Sequence, residues 1–381
     1  MKTPQALGAM HELFQEGKIK KALVIVPASL KFQWQDEVGK FTDYTAEVVH
    51  GTKKKRQASY DLFRESEDVD ILICGYESTR NDIDLIKKLK IDCISVDEAH
   101  RLGSRTTQTY KAITQLKSEY LFCLTGTPMQ NKPNEIFALM QWVDKDVLGG
   151  ITKFRKKHVI TGEKFGRKWM ELGYKELDDL RERIAPEIVR RMKAEVAPEL
   201  PEIIESTARV DMNAPQAKLY KEIKDDFAIL QEELNDFYES QSDDDARQGK
   251  TAEGEEKILG FMYMMQAVSD HPFLLAQGKS SMARKYLPLV RKCKHSPKLE
   301  ELVEILKPLV EQGSKVVIFS KYTTMLEIIF ERLQREFEQT PYVIHGGVDA
   351  EKRQEQVRDF TNLPTRQIML LSDAGNYGLI I

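Results

Sequence analysis

The sequence predicts an α/β protein in which two lobes, each built on a parallel sheet, carry helical insertions between them. Three observations support this fold class. Short apolar runs alternate with helix-like segments up to residue 124, and the same alternation resumes from Ser296. Between these regions the apolar residues recur mainly at helical spacing. A chain of 381 residues is also long enough for two domains, each with its own core.

The first lobe is predicted from five short strands that are mainly apolar. They are Ala22–Val26, Ala46–His50, Asp70–Cys74, Ile91–Val96 and Tyr120–Leu124. After the first strand, Phe32, Trp34, Val38 and Phe41 recur at spacings that indicate the buried face of a helix. Apolar strands separated by helices imply a parallel sheet that is covered on both faces. Ligands of such sheets bind beyond the carboxyl ends of the strands.

The rest of the chain is predicted to pass through helical regions into a second set of strands. Residues 133–200 are expected to be largely helical, and residues 214–270 to be helical with a polar, acidic loop near Ser240–Gly254. The predicted elements that follow are helix 299–309, strand 315–319, helix 323–337, strand 342–345, helix 350–360 and strand 367–371. This order predicts a second α/β lobe.

Composition excludes several classes of protein. The chain is 41% hydrophobic and 31% charged, and no apolar run approaches the ~20 residues that cross a bilayer, so we expect no membrane partner. The N-terminus shows no apolar signal region, and the four cysteines lack the spacing of a zinc site or a disulfide framework. These features favour buried thiols in a reducing cytoplasm.

Charge is segregated along the sequence, although the net charge is only −3. Twelve acidic residues lie between Asp225 and Glu256. Basic clusters occur at 53–56, 153–157 and 190–193. Local basic patches decide contact with phosphates, so nucleic acid remains a candidate partner. The alternative for each single cluster is a solvated face without a partner.

Two polar motifs follow strands that end at the same predicted sheet edge. Asp97 and Glu98 follow the strand that ends at Val96, and Thr125 follows the strand that ends at Leu124. Adjacent carboxylates at a strand end can hold Mg²⁺ beside a nucleotide's phosphates and orient an attacking water. The alternative for the carboxylate pair is a helix N-cap, and for Thr125 an ordinary turn.

These motifs resemble those of the SWI/SNF-type ATPases of helicase superfamily two, which move along double-stranded DNA. The segments that carry the resemblance stand in the family's order and spacing: Leu23–Leu30 with Trp34 (motif Ia), Asp97–Arg101 (motif II, the DEAH box), Leu124–Asn131 (motif III), Ile184–Pro201 (the bridge between lobes), Val316–Ser320 (motif IV) and Ser372–Leu379 (the start of motif V). The resemblance covers nearly the whole chain. It implies two RecA-like lobes, 1–200 with a helical insertion at 130–200, and 201–381 with one at 211–295.

The resemblance implies ATP hydrolysis with Mg²⁺ in the cleft between the lobes. Glu98 and Asp97 would be the catalytic residues, with Asp97 and Thr3 at Mg²⁺. The ATP-binding residues implied are Lys2, Thr3, Asp97, Thr125 and Gly375. The sequence departs from the family at the phosphate loop, because Met1-Lys2-Thr3 lacks the preceding glycines, and it stops at Ile381 before the family's arginine motif. We therefore expect a second lobe that is incomplete at its C-terminus and little ATPase activity from residues 1–381 alone.

The resemblance also implies contact with double-stranded DNA through its phosphate backbone. Ser29, Lys31, Ser320 and Lys321 are the residues that match the family's DNA-contacting positions. Backbone contacts carry little sequence information, so base preference should be weak. The alternative function is a non-catalytic fragment that binds DNA or a protein partner. The compact lobes favour a bacterial or phage source and a cytoplasmic location.

Overall fold

The computed structural model describes residues 2–129, 132–164, 167–191, 193–197, 199, 201–240, 244–277, 281–337, 339–365 and 367–372. The chain divides into two compact units, Met1–Glu202 and Ile203–Ile381. In the described part of the chain, no helix is long and apolar enough to cross a membrane.

The first unit is built on a parallel sheet of five strands in the order β2-β3-β1-β4-β5. The strands are β1 (Ala22–Val26), β2 (Ala46–Val48), β3 (Ile71–Gly75), β4 (Cys93–Val96) and β5 (Tyr120–Cys123). The helices around the sheet are α1 (Lys2–Gln15), α2 (Lys31–Phe41), α3 (Lys53–Glu65), α4 (Tyr76–Asn81), α5 (Ile83–Ile86), α6 (Gln108–Ile113) and α7 (Pro133–Val143). Five predicted strands are thus observed, each within two residues of its predicted bounds at either end.

Alternate residues of the central strand β1 face opposite sides of this sheet. Leu23 and Ile25 belong to a core cluster with residues of α3, α6 and α7, whereas Val24 and Val26 pack with residues of α1 and α2. All five residues of β1 are fully buried, because both faces of the sheet are covered. The predicted parallel sheet with two covered faces is confirmed.

The remainder of the first unit is only partly helical. Helices α8 (Lys145–Leu148), α9 (Ile151–His158), α10 (Leu177–Ile184) and α11 (Lys193–Val196) are interrupted by an antiparallel hairpin of β6 (Val159–Lys164) and β7 (Arg167–Tyr174). The prediction of a largely helical 133–200 is therefore wrong at the hairpin. Val159, Ile160 and Thr161 are β-branched and favour a strand over a helix.

The second unit places a parallel sheet of three strands beside a group of helices. The strands β8 (Val316–Ser320), β9 (Tyr342–Ile344) and β10 (Ile368–Ser372) follow the order β8-β10-β9. The helices are α12 (Ala214–Ser240), α13 (Asp244–Asp270), α14 (Leu274–Gln277), α15 (Ser281–Arg284), α16 (Leu287–Val290), α17 (Pro297–Glu311), α18 (Thr323–Phe337) and α19 (Ala350–Asn362). Leu370 packs towards α17 and α18, and its neighbours Met369 and Leu371 pack with Phe360 of α19.

The predicted acidic loop near Ser240–Gly254 is wrong from Asp244 onward, because α13 begins there. Ala, Arg, Gln, Glu and Lys are good helix formers and are frequent in this stretch. An i,i+4 ion pair joins Lys257 Nζ to Glu253 Oε1 at 2.7 Å on the same helix. Helical propensity therefore outweighs the polar composition that suggested a loop.

Candidate functional site

Two neighbouring strands of the first sheet bring the predicted motifs to one edge. Strands β4 and β5 are parallel and pair Val96 with Cys123, so the residues after them emerge side by side. Beyond the strands, Ala99 N donates to Leu124 O at 2.9 Å, which continues the pairing past the end of the sheet. The carboxylates after β4 and the threonine after β5 therefore lie at the carboxyl edge of the sheet, where parallel sheets bind ligands.

Asp97 is fixed at this edge by contacts to both of its carboxylate oxygens. Its side chain is only 7% exposed. Oδ2 accepts a hydrogen bond from Trp34 Nε1 at 3.0 Å, and Oδ1 accepts one from the backbone N–H of Glu98 at 2.8 Å. Burial raises the pKa of the Asp97 carboxyl, while the Trp34 hydrogen bond and the charge of Lys2 act in the opposite direction.

Glu98 connects the start of α1 to the strand ends. Its Oε1 lies 2.6 Å from Lys2 Nζ, and its Oε2 lies 3.2 Å from His100 Nδ1. Lys2 Nζ is also 3.9 Å from Oδ1 of Asp97, so one ammonium group faces both carboxylates. Lysine and the two carboxylates, distant in sequence, thus form one charged group.

A second line of contacts joins Glu98 to Thr125. His100 Nδ1 lies 3.3 Å from Thr125 Oγ1 as well as close to Glu98. Thr125 Oγ1 in turn accepts the backbone N–H of Thr127 at 3.1 Å. The DEAH segment and the Thr-Gly-Thr segment are therefore linked through one imidazole ring, and the predicted proximity of Asp97, Lys2 and Thr125 is observed.

The side chains at this edge suit Mg²⁺ held together with a phosphate. Carboxylate and hydroxyl oxygens are the ligands that Mg²⁺ prefers, and it is usually bound through one or two protein carboxylates plus substrate phosphates. In the described ranges no group of three or more His, Cys, Asp or Glu side chains could hold a metal alone. The ammonium of Lys2 already places a positive charge between the two carboxylates, so the donor set fits a cation.

Two residues of this site were missed by the reasoning from sequence. Trp34 was interpreted as core packing; it is 1% exposed and packs in the core, but it also donates to Asp97. Tyr76 follows β3 directly, and its hydroxyl lies 2.7 Å from Asp97 O. The signal that could have found Tyr76 is its place immediately after a strand of the same sheet.

Of the remaining predicted nucleotide contacts, the structure describes Thr3 but not Gly375. Thr3 is buried in α1, next to Lys2, and its role as a Mg²⁺ ligand stays a prediction. Gly375, predicted to bind ATP, lies outside the described residues, as does most of the motif V segment that contains it.

The predicted DNA-contacting residues lie at strand ends, two in each unit. Ser29 is half-buried in a 3-10 turn after β1, and Lys31 Nζ donates to Val49 O at 2.8 Å. Burial lowers the pKa of the Lys31 ammonium. Ser320 closes β8 and is buried, and the exposed Lys321 donates to Gln266 Oε1 at 3.1 Å. Their contact with DNA stays a prediction.

Comparison with known families covers both units. The SNF2-related domain matches residues 1–274, and the helicase conserved C-terminal domain matches residues 297–381. A CHD3-type chromatin-remodeling factor, CHR7 of Arabidopsis thaliana, is 26% identical over 99% of this chain. The putative ATP-dependent helicase/translocase YwqA of Bacillus subtilis is 25% identical over 99% of this chain. The chain spans only 29% and 38% of the length of these two relatives.

One solved structure shows the same type of fold. The helicase domain of Pyrococcus furiosus Hef is 13% identical, with a TM-score of 0.50, over 97% of this chain and 80% of that chain. The Sulfolobus solfataricus SWI2/SNF2 ATPase core in complex with dsDNA is 25% identical, with a TM-score of 0.45, over 97% of this chain and 71% of that chain. The two parallel sheets and the likeness to the Hef helicase domain confirm the predicted α/β fold class of two RecA-like lobes.

The relatives contradict the predicted source and location, and the family model establishes the family. They include chromatin-remodeling proteins of Arabidopsis thaliana and Schizosaccharomyces pombe beside the Bacillus subtilis protein named above. Chromatin belongs to the nucleus, so the predicted bacterial or phage source and cytoplasmic location are wrong. Because the SNF2-related domain alone matches residues 1–274, the chain belongs to the SNF2-related, SWI/SNF-type family of helicase-like ATPases.

Proposed function

We propose that this chain is the core of an enzyme that hydrolyses ATP at the carboxyl edge of the first sheet and uses the reaction to move along double-stranded DNA. The observation that carries the proposal is the convergence of Lys2, Asp97, Glu98 and Thr125 at one place. Family membership supports it, as does the name of the Bacillus relative, which describes an ATP-dependent helicase/translocase.

The residues at the site divide the chemistry between them. The Glu98 carboxylate would orient the attacking water, and Asp97 would hold Mg²⁺ with Thr3 as the second predicted ligand. The metal, when bound, supplies positive charge against the phosphates. Lys2, now 2.6 Å from Glu98, would exchange that carboxylate for a phosphate oxygen. Thr125 and His100 would transmit the state of Glu98 to the segment after β5.

The proposed DNA contacts are to the phosphate backbone. Ser29 and Lys31 follow β1, Ser320 is the last residue of β8 and Lys321 follows it, so each unit carries one hydroxyl and one cationic side chain at a strand end. Hydroxyl and ammonium groups contact phosphates without reading bases. The name of a mouse relative, chromodomain-helicase-DNA-binding protein 1-like, supports DNA as the partner.

The enzymatic part is tested by ATP turnover of the full-length protein with and without double-stranded DNA. We expect stimulation by DNA and a loss of about 10²–10⁴-fold in kcat for Glu98→Gln, because the water loses its general base. Glu119→Gln is the matched control, since Glu119 is exposed and precedes β5 at the opposite edge of the sheet. Equal turnover by both variants would contradict the role of Glu98.

The DNA-binding part is tested by affinity as a function of salt. Each phosphate contact releases counterions, so binding should weaken steeply as salt increases. Lys321→Gln should reduce the slope of log affinity against log salt by about 1, whereas Lys352→Gln on α19 should leave it unchanged. Affinity that ignores salt or depends strongly on base sequence would contradict backbone contact. DNA binding without any ATP turnover would favour the non-catalytic alternative.

A further inference from the structure

Tyr76 touches the backbone of both carboxylate residues from inside the protein. It follows β3, is 1% exposed, and starts α4. Its hydroxyl oxygen lies 2.7 Å from Asp97 O and 3.1 Å from Glu98 O. One hydroxyl proton is thus shared between two consecutive carbonyl oxygens, directly behind the charged group at the sheet edge.

The backbone that Tyr76 contacts has an unfavourable conformation. Glu98 has φ 50° and ψ 47°, in the left-handed region, where a side chain is crowded by its own backbone. Such a conformation is strained and persists only where the surroundings fix it. The turn is fixed on one side by Ala99 N, which donates to Leu124 O at 2.9 Å. On the other side, the Tyr76 hydroxyl contacts the turn through the carbonyl oxygens of Asp97 and Glu98.

We propose that Tyr76 is a positioning residue for ATP hydrolysis, whose hydroxyl holds the left-handed turn at Glu98 and so aims the Glu98 carboxylate. The inference rests on the proposed function, because it assigns Tyr76 a role through Glu98. Tyr76 itself touches neither Lys2 nor the carboxylate oxygens in the contacts described above. Its effect is on the direction of the Glu98 side chain, since the backbone angles of Glu98 decide where its carboxylate points.

The surroundings of Tyr76 favour a neutral hydroxyl and pack against its ring. Burial raises the pKa of Tyr76, which favours the neutral hydroxyl that donates these hydrogen bonds. The guanidinium of Arg101 lies 5.1 Å from the ring centre and packs over the ring. Phenylalanine would preserve this packing and remove only the hydrogen bonds.

The experiment compares Tyr76→Phe with Tyr110→Phe in the full-length protein. Tyr110 is a matched control because its buried hydroxyl also donates to a backbone carbonyl, Ala138 O at 3.0 Å, away from the carboxylates. For Tyr76→Phe we expect kcat to fall by roughly tenfold or more, with the KM for ATP changed by less than about twofold, because a misdirected base slows the chemical step and leaves the phosphate contacts in place. Tyr110→Phe should keep both values.

A second measurement does not depend on turnover. Amide hydrogen exchange across residues 97–100 should be about tenfold faster in Tyr76→Phe than in the wild-type chain, and unchanged in Tyr110→Phe, since the lost hydrogen bond held this turn. Both variants are compared at a temperature at which circular dichroism shows them folded. Unchanged exchange in Tyr76→Phe would overturn the inference even if turnover fell.

Glu98→Gln, measured in parallel, separates failure of the inference from failure of the proposed function. If Glu98→Gln abolishes turnover but Tyr76→Phe behaves like Tyr110→Phe, the positioning role is wrong and the function stands. If Glu98→Gln keeps full turnover, the proposed role of Glu98 is wrong. In that case Tyr76 positions no catalytic base, whatever the exchange rates show.

Discussion

The indole nitrogen of Trp34 lies 3.0 Å from Oδ2 of Asp97 and joins a core residue of α2 to the carboxylate at the end of β4. Trp34 is buried against the first sheet, so its position is set by apolar packing. The hydrogen bond therefore fixes the direction of the Asp97 carboxylate, as a metal ligand requires. One residue therefore serves both the core and the candidate metal site.

Trp34→Phe should weaken both stability and nucleotide binding. The change leaves a buried carboxylate oxygen without its indole donor, which costs about 1–3 kcal/mol. We expect a lower free energy of unfolding in denaturant titrations, and several-fold weaker Mg²⁺-dependent binding of a fluorescent ATP analogue, because Asp97 loses its orientation.

Trp142→Phe is the control for that variant. Its indole also donates a hydrogen bond, but to a backbone carbonyl, Leu116 O at 3.1 Å, and not to a carboxylate of the site. It should lose stability and keep nucleotide affinity. Equal loss of affinity in the two variants would show that Trp34 acts on the fold alone.

Asp97→Asn should remove Mg²⁺-dependent binding while it changes the stability little. Burial raises the pKa of Asp97, so its ionised form is disfavoured in the folded state and costs stability at neutral pH. An uncharged amide avoids that cost, but its NH2 group must face one of the two N–H donors, Trp34 Nε1 or Glu98 N, which then loses its hydrogen bond. Because the two effects oppose each other, we expect the free energy of unfolding to change by no more than about 1 kcal/mol in thermal unfolding. A larger loss would mean that the hydrogen bonds to Asp97 outweigh the cost of burying its charge.

Asp82→Asn should destabilise the first unit. Arg56 binds Asp82 through two nitrogens, at 2.6 and 3.0 Å, and Tyr60 donates a third hydrogen bond. Burial alone would raise the pKa of Asp82, but these contacts hold it below its ordinary value. We expect a loss of roughly 1.5–3 kcal/mol in denaturant unfolding.

The exposed pair of Asp61 and Arg64 provides the control for Asp82. These side chains lie 2.7 Å apart on α3 and are open to solvent. Asp61→Asn should change stability by no more than about 1 kcal/mol. A similar loss in both aspartate variants would mean that burial of the Asp82 pair adds nothing.

His271 should make the second unit less stable in acid. Burial lowers the pKa of His271 from its ordinary 6.5, so the unfolded chain binds a proton at a pH where the folded chain does not. Stability is therefore full above 6.5 and falls as pH decreases from 6.5 towards the lower folded pKa. We expect the free energy of unfolding, measured by denaturant titration, to show this slope against pH between these limits.

His271→Asn should remove that slope while it keeps the local turn. Nδ1 of His271 accepts the backbone N–H of Phe273 at 3.2 Å, and an asparagine oxygen can accept the same bond. The exposed His295→Asn should leave the slope as it is in the wild type. A slope that persists in His271→Asn would assign the acid sensitivity to another group.

The strands and the motifs at their ends were predictable because they are local properties of the sequence. Runs such as Ala22–Val26 are apolar at every position, which is typical of a strand covered on both faces of its sheet. Asp97, Glu98 and Thr125 follow two of these runs directly, so the parallel arrangement alone brings them to one edge.

The remaining features depend on contacts between distant parts of the chain. Tyr76 reaches the carbonyls of Asp97 and Glu98 because β3 and β4 lie on either side of β1, and no local pattern fixes that strand order. The hairpin of β6 and β7 was missed because its strands lie among helical segments. The left-handed turn at Glu98 was missed because glutamate has no preference for it.

The hairpin of β6 and β7 also has a consequence for how the chain can vary. Val159 pairs with Tyr174 and Ile160 with Gly173, so the chain leaves and re-enters the first unit at adjacent points. The distance between these points does not depend on what lies beyond them. A longer hairpin, or a whole foreign domain with neighbouring termini, can be grafted there while the five parallel strands keep their order.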